Sequence, residues 1–108
     1  MEHFAPPQNG ESGRKQRHRV ELRAGCRTQS GLRDEGWIAN ISAQGCCVET
    51  HSLFVRIGAR VIVKPEGLEG LSGTVRWIEG NRAGIEFDSP IYGPVLEHLT
   101  AKFGDQPN

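Results

Sequence analysis

The chain has 108 residues, room for one domain, and its 13 basic and 13 acidic residues cancel, so it has no global field to attract a long polyanion. Apolar stretches run only a few residues, which leaves nothing to cross a bilayer. Pro6, Pro7 and Gly10 stand where a secretory leader would need an apolar core, so the expected location is cytoplasmic.

Residues 1–13 hold two prolines, two glycines and few apolar groups. They bury too little surface to offset chain entropy, and a disordered tail is expected there. A dense basic run follows, Arg14-Lys15-Gln16-Arg17-His18-Arg19. Six of the 13 basic residues (Arg14, Lys15, Arg17, Arg19, Arg23, Arg27) lie in this region against only Glu21. A locally basic arm on a neutral protein points to a small anionic ligand or a local docking patch.

From Val20 the pattern turns to period two. Val20, Leu22, Ala24 and Cys26 alternate with Glu21, Arg23, Gly25 and Arg27, a half-buried strand. Gln29 to Gly36 reads as a polar, glycine-bounded loop. Trp37 to Ser42 forms a second strand and Cys46 to Thr50 a third, with Cys46 facing inward beside Val48 and Cys47 outward. Ala59, Val61 and Val63 alternate with Arg60, Ile62 and Lys64 in a fourth strand, which Pro65 ends. After the turn Glu66 to Gly70, Leu71 to Ile78 is the fifth strand, Glu79-Gly80-Asn81 a turn, and Arg82 to Phe87 the sixth. Six short strands at this spacing predict an all-β, six-stranded antiparallel β-barrel. Past Pro90 the period changes: Val95, Leu96, Leu99 and Phe103 fit one helical face, a C-terminal α-helix over 92–103 with Gly104 as its stop. Residues 104–108 read as a tail, and the domain as 14–103.

Catalysis finds no support in the pattern. His18, His51 and His98 are scattered, and there is no nucleophile elbow, phosphate loop or carboxylate pair in a shared apolar context. The expectation is a non-enzyme without cofactor or metal. Cys26, Cys46 and Cys47 lack ligand spacing and are read as reduced thiols. Trp37 and Trp77, each in an apolar strand, are read as core, with a stacking platform as the other reading.

The stretch that organises the rest is Asn40-Ile41-Ser42-Ala43-Gln44-Gly45, between two apolar runs. Asn40 and Ser42 carry short polar side chains that bond nearby backbone, and Gly45 lacks a Cβ. This pattern of Asn or Asp, any, Ser, any, any, Gly at a strand turn, preceded by an arginine-rich run, resembles the PilZ domain family. Val75-Arg76-Trp77 and Gly84-Ile85-Glu86-Phe87 look like that family's late strands, and the resemblance covers residues 14–103. The family is a small β-barrel, and many members bind the bacterial second messenger cyclic dimeric guanosine monophosphate (c-di-GMP).

The resemblance implies a stand-alone c-di-GMP receptor that changes shape on binding and signals to an unidentified effector protein. The implied ligand site is Arg14, Lys15, Arg17 and Arg19 with Asn40, Ser42 and Gly45. Arginine suits such a ligand, because its fork matches guanine O6 and N7, stacks on bases and bonds phosphate. Binding members have two arginines four positions apart, the second just before the first strand. Arg19 fits the second position, but Lys15 stands at the first. Lysine keeps the charge and loses the fork. Three outcomes stay open: Arg14 supplies the fork, affinity is low, or binding is lost. The last makes the protein a degenerate member that acts as an adaptor without nucleotide. A small RNA-binding barrel ranks last, because aromatics are only 6% of residues and the basic run lies outside the strands.

Overall fold

The computed structural model describes residues 17–50 and 56–104. The expectations for 1–13, Arg14, Lys15 and 105–108 lie outside the described residues. Six strands and one helix follow in chain order: β1 (His18–Thr28), β2 (Arg33–Ile41), β3 (Gly45–Thr50), β4 (Arg60–Pro65), β5 (Leu71–Glu79), β6 (Arg82–Phe87) and α1 (Gly93–Phe103). All neighbouring strands are antiparallel, and they close in the order β1-β2-β3-β6-β5-β4. The predicted barrel and terminal helix are therefore present.

Closure follows from alternation. Val20, Leu22 and Ala24 of β1, Ile38 and Ile41 of β2, Cys46 and Val48 of β3, Val61 and Val63 of β4, Val75 of β5 and Ala83, Ile85 and Phe87 of β6 form one core. These are mostly β-branched or short side chains, which fill a narrow barrel interior. Three irregularities bend the wall: between Arg19 and Leu22 on the β1–β2 ladder, between Ile38 and Asn40 on β2–β3, and between Val75 and Trp77 on β5–β6. Bulges increase local twist, which a closed six-stranded sheet requires. Helix α1 starts with a proline in its first turn and lays Leu99, 1% exposed, against β1. Gly104 leaves the helix in an extended conformation and bridges to Val20.

Four expectations change. The second strand starts at Arg33, not Trp37, because Arg33, Asp34 and Glu35 pair with Arg27, Cys26 and Gly25 in the antiparallel ladder with β1. The turn shrinks accordingly, with the Thr28 N–H donating to Leu32 O at 2.9 Å. Gly36 does not end a loop. It sits inside β2 where an added Cβ would lie 2.0 Å from the Glu49 carbonyl oxygen, a backbone approach only glycine permits. Trp37 is not core: it is 46% exposed while Ile38 beside it is fully buried.

The fourth concerns Cys47, expected to point outward into solvent. It does stand apart from the core cluster that holds Cys46 and Val48, so the alternation is right. Yet it is 2% exposed, because the outer wall of the barrel is itself covered at that point.

Candidate functional site

The antiparallel registers line up outward-facing residues in two rows across the barrel wall. One row runs Arg19, Asn40, Cys47, Gly84, Trp77 over β1, β2, β3, β6 and β5. The other runs Arg23, Trp37, Glu49, Arg82, Glu79 over the same strands. Two residues separate the rows along β3, β6 and β5, a distance of about 7 Å. Between them lies an open groove of about 580 Å³, lined by Arg19, Glu21, Trp37, Asn40, Glu49 and Arg82 among others.

Arg17 precedes β1 and folds over the first row. Its Nη1 donates to Asn40 Oδ1, so the arm and the turn motif meet although 23 residues apart. Burial pushes the Arg17 guanidinium below its ordinary pKa, and the Cys47 and Cys46 sulfurs oppose that shift. The Cys47 thiol is raised by burial and drawn back by the charges of Arg82 and Arg17. At the far end of the row the Trp77 indole lies on Gly84. A Cβ on Gly84 would stand 2.0 Å from indole Nε1, so glycine is the residue that lets the ring lie flat on the sheet. Trp77 joins neither the core cluster nor its fringe, which corrects its reading as core.

The turn serves as the anchor of this face. The Ser42 N–H donates to Gly45 O at 2.8 Å, and Ser42 Oγ accepts from the Gln44 N–H at 3.2 Å while lying 3.5 Å from Gly45 O. Ser42 is 1% exposed, so its hydroxyl holds the turn and does not line the groove. The carbonyls of Ala43 and Gln44 accept from the Ile91 and Phe87 N–H groups, each at 2.8 Å, tying the turn to the end of β6 and the segment after it. Gly45 opens β3 opposite Glu86 and has no left-handed backbone.

Of the residues singled out from sequence, Arg17, Arg19 and Asn40 come together on one outer face. Ser42 and Gly45 shape the turn beneath them, and Arg14 and Lys15 lie outside the described residues. Sequence reasoning missed Glu21, Arg23, Glu49 and Arg82. All four are exposed or half-exposed partners in the outer half of a period-two pattern, a signal the alternation contained. Arg82 and Glu49 form an ion pair at 2.7 Å on the groove's far wall. Among the described residues no helix is long and apolar enough to cross a membrane.

The family model described as PilZ domain matches residues 13–102, most of the chain. No curated protein matches the sequence.

Proposed function

Because the chain belongs to the PilZ domain family, we propose that it is a c-di-GMP receptor that changes conformation when the nucleotide arrives and signals to a partner protein. Domains of this family generally bind c-di-GMP, and they act as binding modules or adaptors. The observation that carries the reading is the contact between Arg17 and Asn40, which joins the basic arm to the turn motif on the outer barrel wall. An anion settled there meets the guanidinium groups of Arg17 and Arg19 and the Asn40 amide at once. Those are the donors that a nucleotide phosphate and a guanine edge require. Ser42 and Gly45 support the site by fixing the turn, and Lys15 adds charge.

Binding has to remake the Arg17–Asn40 contact, since both partners are needed by the ligand. That exchange is the proposed conformational change, and the effector would read the arm in its new place. The experiment is a calorimetric titration of the full chain with c-di-GMP, with GTP and cyclic AMP as controls. Saturable binding of c-di-GMP alone is the expected result. Lys15→Arg should tighten it by restoring the fork. If wild type and Lys15→Arg both ignore the nucleotide, the receptor reading fails and the nucleotide-free adaptor replaces it, the reading that Lys15 at the first arginine position favours.

A further inference from the structure

The groove face carries an aromatic side chain that the barrel does not need. Trp37 is 46% exposed next to a fully buried Ile38, and leaving an indole in water forfeits hydrophobic stabilisation. The register sets Arg23 directly opposite it on β1 and Glu49 opposite it on β3. The Arg23 guanidinium lies over the indole, 5.3 Å from a ring centroid, which fixes the ring's attitude.

Trp37 lines two grooves, the one of about 580 Å³ and a second of about 350 Å³. Arg23 lines only the second. The indole is thus a partition. One side is held by a cation, and the other borders the space shared with Arg19, Glu21 and Asn40. Asn40 stands past the irregularity at Ala39, about 7–10 Å further along β2, which is within the span of a purine and its edge contacts.

We propose that Trp37 is a base-stacking platform: one guanine of a cyclic dinucleotide lies on the indole face that borders the larger groove, with its edge toward Asn40 and Arg19. The inference rests on the receptor reading and adds a residue which that reading does not use. An indole held in place loses little freedom on binding, and stacking tolerates small shifts of the base. The guanidinium on the opposite face keeps the ring from swinging into the groove.

The test titrates c-di-GMP into the full chain carrying Trp37→Leu or Trp37→Phe, with circular dichroism to confirm the fold. Trp37→Leu should bind about 10- to 100-fold more weakly than wild type, and Trp37→Phe within about threefold of it. A Trp77→Phe chain leaves Trp37 as the sole tryptophan, and its emission should be quenched as c-di-GMP is added. Wild-type affinity in Trp37→Leu, or unchanged Trp37 emission on saturation, overturns the platform while the receptor reading stands. Absence of binding by wild type overturns both.

Discussion

Two patches of one barrel wall treat their arginines in opposite ways. Over β4, β5 and β6, Arg60 bonds both carboxylate oxygens of Asp88 at 2.7 and 2.6 Å, and Arg76 meets Glu86 at 2.6 Å. Each cation there is matched by a carboxylate, and such exposed pairs contribute little to stability. Over β1 and β2, Arg17 donates to the neutral amide of Asn40, and Arg23 lies over an indole. Those two contacts orient a guanidinium against a neutral group. The same residue type is therefore held by carboxylates in one patch and, in these two contacts, by neutral side chains in the other.

The widest separation of the two patches should come from Arg19→Ala against Arg60→Ala. Loss of a charge-assisted contact at the groove should lower c-di-GMP affinity about 10- to 100-fold. Arg60→Ala should leave the affinity at its wild-type value. Equal losses in a calorimetric titration would mean that both patches act only as a diffuse field, and the contrast would collapse.

Gly84→Ala probes whether the groove row is held rigid as far as Trp77. The added Cβ would meet indole Nε1 at 2.0 Å, and overpacking of this kind costs about 1–3 kcal/mol. Urea unfolding should show that loss. Wild-type stability would show that the ring is free to move off the row.

A smaller effect tests the lid that Arg17 makes. Native-state thiol labelling should be slow at Cys46 and Cys47 alike, since both are buried. Arg17→Ala should speed labelling at Cys47 and leave Cys46 slow, because only Cys47 faces outward. An unchanged Cys47 rate would assign its cover to other side chains.

The mildest prediction concerns pH. Burial, with the Asp34 charge behind it, pushes the Cys26 thiol from 9.0 up to about 11. A folded-state pKa above the unfolded value means the folded chain holds its proton more tightly. The associated stability is complete below about 9 and is lost as pH rises through about 11. Thermal melts should hold steady from neutral pH to about 9 and fall beyond it. A decline already at neutral pH would point to some other titrating group.

How much of this was legible in the sequence depends on which force sets each residue. The sixth strand, Arg82 to Phe87, and the core side chains of β1 follow strict alternation, and the structure places them as read. The start of β2 was hidden because Arg33, Asp34 and Glu35 join the sheet by backbone pairing, which leaves no apolar trace. The outward turn of Trp37 and Trp77 was obscured by reading aromatic content ahead of period. Ile38 and Ile41 both face the core three residues apart, a spacing that only a bulge allows, and that spacing was in view. The Arg17–Asn40 contact spans 23 residues and no local pattern encodes it, although the basic run and the turn motif each pointed to the same ligand. The burial of Cys47 depends on what lies across the wall, which strand alternation does not specify.

The closed strand order has a bearing on how another protein can engage this one. In the ladder β1-β2-β3-β6-β5-β4, β1 returns to pair with β4, so each of the six strands has a paired neighbour on both sides over part of its length. Strand addition, by which many modules take up an extended peptide, finds among the described strands none that is unpaired along a whole side. A protein that recognises the described barrel meets side chains of the wall and of α1 over most of its surface.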